Sequence, residues 1–253
     1  MRPKPSHPHA LGFAFRFFLF SIVLLAASCL LLLLSRGIRD LSPIPVSEEA
    51  PAPPESLCVV IDAGHGGEDG GAIGQNGVLE KTLNLQLAER LADLLATNGV
   101  KVIMTRREDV MLYDRSVDYR GQKKMLDLAA RLRIARENEN DLFVSIHMNA
   151  YPEERYHGLQ VYYSPHDPRS QAAADTIQEA VQAHLQPDNQ RRIKEATSAI
   201  YLLKHLETPA ILIECGFISN RRECELLCEE GYAQRLALVI ADSILQHLSQ
   251  GSS

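Results

Sequence analysis

The chain has 253 residues, is 45% hydrophobic, and carries a formal net charge of −6 from 26 basic and 32 acidic residues. Residues 1–36 hold four of the bases (Arg2, Lys4, Arg16, Arg36) and no acid, leaving 22 basic against 32 acidic residues beyond them. That balance argues against a nucleic-acid partner, because phosphate recognition needs a basic face.

Residues 1–16 read as a cytoplasmic N-terminal segment and 17–35 as a transmembrane anchor or uncleaved signal. Phe17 to Leu34 contain no charge and are flanked by Arg16 and Arg36, the minimum apolar length for spanning a bilayer. The apolar region of a cleaved signal is usually shorter. Ala26-Ala27-Ser28-Cys29 faintly resembles a lipoprotein cleavage site, but a leucine run follows it. The slight excess of Lys/Arg before the segment puts the N-terminus inside and the folded domain outside the cytoplasm. Residues 36–56 form a linker, with prolines at 43, 45, 51, 53 and 54 beside Glu48, Glu49 and Glu55. Such a composition buries no core and extends.

The folded domain spans 57–250. Strands are predicted at about 57–62, 100–105, 141–147, 158–163 and 209–215, and helices near 80–97, 122–138, 169–185 and 231–248. Leu83, Leu87, Leu91, Leu94 and Leu95 share one face of the first helix, and Leu126, Leu128, Ala129, Leu132 and Ala135 form a stripe on the second. Residues 106–121 and 186–197 read as loops. This alternation implies a single α/β domain with a mostly parallel central sheet and helices on both faces. Of the five cysteines, Cys29 lies in the apolar segment, Cys58 and Cys215 fall on core strands, and Cys224 and Cys228 share a helix face. An odd count without a CxxC pair is no disulfide framework.

Three apolar runs each end on a residue fit for metal or proton chemistry. Val59-Val60-Ile61-Asp62-Ala63-Gly64 leads to His65, Leu142 to Ile146 leads to His147, and Pro209 to Ile213 leads to Glu214. Sites of open α/β sheets lie at the carboxyl ends of strands. His65, His147 and Glu80, which opens the first helix, make a three-ligand set for Zn2+ that leaves a position for water. Such a set polarises a carbonyl and acidifies water to a pKa of about 7. Glu214, outside the ligands, fits a general base. Each residue alone has an ordinary reading: a strand-end histidine is commonly structural, and a helix-start glutamate complements the dipole. Asn149 reads either as a substrate hydrogen-bond donor or as a loop tie, and Asp62 either orients a ligand imidazole or caps the glycine turn. Glu68 and Asp69 shape the groove without ligating. Arg131 reads as an ion-pair or carbonyl contact.

Asp62-Ala63-Gly64-His65-Gly66-Gly67, Glu80, Ser145-Ile146-His147-Met148-Asn149-Ala150, and Glu214 with Gly216-Phe217-Ile218-Ser219-Asn220 together resemble the zinc-dependent N-acetylmuramoyl-L-alanine amidase family, type 3, over residues 57–248. The resemblance implies zinc ligands at His65, Glu80 and His147 and a catalytic Glu214. The implied reaction is hydrolysis of the amide between the muramic acid lactyl group and L-alanine of peptidoglycan. Val102 to Arg106, Leu128 with Arg131, and Ala199 to Leu203 are similar to its short, membrane-anchored, germination-specific subgroup in spore formers. That likeness implies spore cortex maturation, a lipoprotein activator, and a downstream deacetylase acting before muramic δ-lactam forms. The alternatives are a non-catalytic wall-binding scaffold and a zinc peptidase or deacetylase acting on cell wall.

Overall fold

A computed structural model of the protein describes residues 57–251 apart from 115 and 117–119. The expected cytoplasmic segment, anchor and linker lie outside the described residues, among which no helix is long and apolar enough to cross a membrane.

The elements follow the order β1 (Cys58–Ala63), α1 (Glu80–Thr97), β2 (Lys101–Met104), α2 (Lys123–Glu137), β3 (Leu142–Asn149), β4 (Gln160–Tyr163), α3 (Pro168–His184), β5 (Lys194–Glu195), α4 (Tyr201–His205), β6 (Ala210–Phe217), α5 (Arg221–Cys228) and α6 (Glu230–Gly251). Among the described residues the strands form one sheet, ordered β2-β1-β3-β6-β4-β5. β2, β1, β3 and β6 are parallel, as expected, but β4 runs antiparallel to β6 and β5 follows β4. The sheet is therefore mixed. Loop 150–159 is too short for the crossover a parallel strand needs, so the chain leaves it running backwards.

β3 and β6 run past their expected ends to Asn149 and Phe217, through a register shift between His147 and Asn149. β5 lies inside the predicted loop 186–197, and the short helices α4 and α5 add to the expected four. A two-residue strand and a five-residue helix are too brief to leave a period in the sequence.

Alternation along the strands divides the core. Val59, Ile61, Val144, Ile146, Ile211 and Ile213 pack with α1, α3 and α6 on one face. Val60, Phe143 and Leu212 meet Leu132 of α2 and Leu202 and Leu203 of α4 on the other. The stripe predicted on α2 is displaced: Asp127, Arg131, Leu132 and Ala135 are its buried residues, whereas Ala129 is exposed. The buried face of α2 carries charge because it serves the loop after β1. Cys58, Cys215 and Cys224 are buried free thiols and Cys228 is an exposed one.

Leu91 of α1 is fully buried against the sheet. Leu91→Ala is expected to lower unfolding free energy by about 2–5 kcal/mol, read from urea denaturation of the purified protein.

Candidate metal centre

Strand order sets the site. From β1 the chain goes to β2 on one side and then returns to β3 on the other, so the sheet reverses direction of growth between β1 and β3. A crevice opens at the carboxyl ends of strands at such a point. The loop after β1, the start of α1, and β3 border it, and β6 lies beside β3 with His147 opposite Glu214.

His65 has φ 61°, a left-handed conformation unusual for a residue with a side chain. Its carbonyl accepts a hydrogen bond of 2.6 Å from Arg131 Nη2. The same guanidinium donates to Ala63 O at 2.7 Å, Asp62 Oδ1 at 2.7 Å and Asp127 Oδ2 at 2.7 Å. Arg106 donates to Ala63 O at 2.8 Å and Gly64 O at 3.0 Å. Two arginines thus take up the carbonyls of the turn and hold His65 in a conformation it would not choose. Both earlier readings of Arg131, ion pair and carbonyl contact, hold together. Asp62 takes neither expected role. Its carboxylate accepts from Thr105, Arg131 and Ser145, not from an imidazole.

Glu80 is the first residue of α1 and 4% exposed. Its Oε1 lies 3.0 Å from His147 Nδ1 and 3.2 Å from His65 Nε2, and accepts from Met148 N at 3.2 Å. Its Oε2 accepts from Ala72 N at 2.9 Å. Such closeness needs missing side chains around it. A Cβ on Gly64 would fall 2.2 Å from His147 Nε2, and one on Gly71 would fall 2.5 Å from Glu80 Oε2.

Charge follows geometry. Burial works against ionisation of Glu80, but His147 and His65 overcome it and hold its carboxyl well below the usual range. Burial also opposes protonation of His65, yet Glu80 and Asp69 raise its pKa. Asp69 Oδ2 stands 2.9 Å from His65 Nδ1 and pairs with that face of the ring. Proximity to His65 in sequence hinted at this contact, as i,i+4 neighbours, but a loop hid it. Glu68 pairs with Lys123.

Glu214 shows the opposite shift. Burial raises its pKa, with His147 and His65 pulling back. Its Oε2 is buried with no hydrogen-bond partner. Glu214, His65 and His147 line one cavity of about 580 Å³, whose other walls include Leu128, Tyr162, Lys194 and Tyr201. Asn149 pairs with Phe217 in the sheet and its carbonyl accepts from Ile218 N at 2.9 Å.

The structure thus brings His65, Glu80 and His147 together, with one ligand atom of each within 4.8 Å of the others. Two nitrogens and a carboxylate oxygen, open on a cavity that also holds an unpartnered carboxylate oxygen, suit a divalent metal with a free coordination position.

The profile of the N-acetylmuramoyl-L-alanine amidase family matches residues 59–246. A germination-specific N-acetylmuramoyl-L-alanine amidase of Bacillus subtilis is 34% identical over 192 residues, covering 76% of this chain and 80% of that protein. Among solved structures, the CwlD amidase from Clostridioides difficile in complex with the GerS lipoprotein is 36% identical with a TM-score of 0.72, covering 77% of this chain and 99% of that one. AmiC2 of Nostoc punctiforme, also an N-acetylmuramoyl-L-alanine amidase, is 31% identical with a TM-score of 0.65, over 76% and 97%. The chain belongs to the N-acetylmuramoyl-L-alanine amidase family and is a peptidoglycan amidase, which displaces the scaffold and the peptidase or deacetylase readings.

Arg131→Met is expected to cost about 3–5 kcal/mol, since it strands two buried aspartates. Equilibrium denaturation at neutral pH measures it. Part of the lost stability should be regained when acidification protonates Asp62, whose ionised form Arg131 favours.

Proposed function

We propose that this amidase is zinc-dependent, with His65, Glu80 and His147 holding the ion and Glu214 acting as the proton carrier. The clustering of the three ligand atoms carries this reading, and the unpartnered Glu214 oxygen in the same cavity supports the second role. Zinc bound there supplies Lewis acidity toward the amide carbonyl and lowers the pKa of water. Glu214 then takes the proton of the attacking water and delivers it to the departing amide nitrogen. Its raised pKa favours that second transfer. Asp69 orients the His65 ring, and the Arg131 fork fixes the His65 backbone. The products are a lactyl carboxylate on the sugar and a stem peptide with a free L-alanine amino terminus.

The setting of the reaction is, in this reading, spore cortex maturation outside the cytoplasm, with residues 17–35 as membrane anchor. Similarity to the germination-specific enzyme supports the setting. The lipoprotein complex of the C. difficile relative supports a lipoprotein partner here. A deacetylase acting on the stripped muramic acid completes δ-lactam formation.

Glu214→Gln is expected to retain about one zinc per chain and to lose about 10²–10⁴ in turnover, whereas His147→Ala loses the metal. Elemental analysis and mass spectrometry of digested peptidoglycan read both, and products with deacetylated sugars would contradict the assignment. In the native host, deletion of the gene should leave cortex fragments without muramic δ-lactam.

The pH profile tests the base. Glu214 works only when ionised, and burial holds its pKa above the usual carboxylate value of about 4.3. Activity should therefore climb with pH along an acid limb above that value. Turnover undiminished at pH values below it would exclude Glu214 as base.

A further inference from the structure

β6 continues past Glu214 to Phe217, and Phe217 is the base of a stack of side chains that hydrolysis does not use. Tyr156 lies over it, centroids 6.2 Å apart and rings 28° from parallel, and Tyr151 meets Tyr156 edge-on at 4.8 Å. The Arg191 guanidinium stands 4.4 Å from the Phe217 centroid, and that of Arg155 5.2 Å from Tyr156. Tyr151 is 49% exposed. Beside the stack is a second cavity of about 450 Å³, lined by Arg155, Tyr156, His157, Asp188, Gln190 and Arg191.

This surface is fixed in place. Tyr151 N donates to Ser219 Oγ at 2.9 Å, and Asn220 Nδ2 donates to Glu154 O at 2.6 Å. Arg191 donates to His157 O at 2.9 Å and to Gln160 Oε1 at 2.7 Å. Gln160 is the β4 residue opposite Glu214. Arg191 and Gln160 therefore tie the stack to the strand pair that carries Glu214, and Phe217 stands three residues beyond Glu214 on β6, past the register shift.

Rigid aromatic faces bind at little entropic cost. The scissile amide hangs from a sugar within a polysaccharide, so the sugars next to it must pass over whatever borders His147 and Glu214. Sugar rings offer flat C–H faces to tyrosines and hydroxyls to guanidinium donors. We propose that Tyr151, Tyr156, Arg155 and Arg191 form a subsite for the glycan strand flanking the amide being cut. The proposal rests on the amidase reading above.

The test compares wild type with Tyr151→Ala, Tyr156→Leu and Arg155→Ala on long glycan strands bearing stem peptides and on a single muramoyl-peptide unit. Arg155 is exposed and Tyr156→Leu keeps an apolar contact on Phe217, so folded variants are available. KM for long strands should rise about fivefold or more, and the preference for strands over the single unit should shrink by the same factor. Binding of an N-acetylglucosamine oligomer, followed by calorimetry, should weaken in parallel. If wild type cuts both substrates and every variant keeps its preference, the subsite is wrong and the amidase stands. If wild type cuts neither, the amidase reading falls and the subsite with it.

Discussion

One buried guanidinium organises this molecule. Arg131 bridges Asp62 at the end of β1, Asp127 on its own helix, and the carbonyls of Ala63 and His65. Burying such a group is costly unless every donor is matched, and here carboxylates and carbonyls do the matching. The return is a left-handed histidine placed at the mouth of the crevice. Burial penalises charge on Asp62, yet Arg131 and the Ser145 hydroxyl keep its carboxyl below the usual range. This contribution to stability is present above the unfolded carboxylate pKa and is lost as pH falls through the depressed folded value.

The rest of the site follows from the sheet. β1, β3 and β6 are adjacent and parallel, so the three apolar runs end along one edge. The alternation that sends Val144, Ile146, Ile211 and Ile213 into the thicker core layer sends Ser145, His147, Leu212 and Glu214 to the other face. There α2 and the short α4 cover the sheet only in part, and the cavity remains. α1 brings its first residue to the same place, backbone N–H groups of Ala72 and Met148 holding the carboxylate. Opposite pKa shifts on Glu80 and Glu214 then separate two acids in one pocket: imidazoles hold the carboxyl of one well below the usual range, and burial pushes that of the other above it.

Much of this was legible in the sequence. The strands announced themselves as short apolar runs, and α1 by its leucine spacing. His65, Glu80, His147 and Glu214 stood at element ends, where side chains can converge. The family motifs pointed to the same four. What the sequence concealed was long-range or unperiodic. Asp62 looked like a partner for an imidazole, yet its partner is Arg131, 69 residues on. Arg131 and Asp127 interrupted the apolar stripe of α2, and only the folded arrangement explains why charge faces inward there. β5 left no pattern because two residues have none. The short loop 150–159 fixed the direction of β4, but its pairing with β6, some fifty residues on, is a long-range choice that local sequence does not encode.

The last strand of the sheet also has a bearing on behaviour in concentrated surroundings. β5 contains only Lys194 and Glu195, both exposed. A long, bare, apolar margin would invite a neighbouring molecule to zip on through main-chain hydrogen bonds. Two charged residues give no such template, so on that side the fold resists growing into an aggregate.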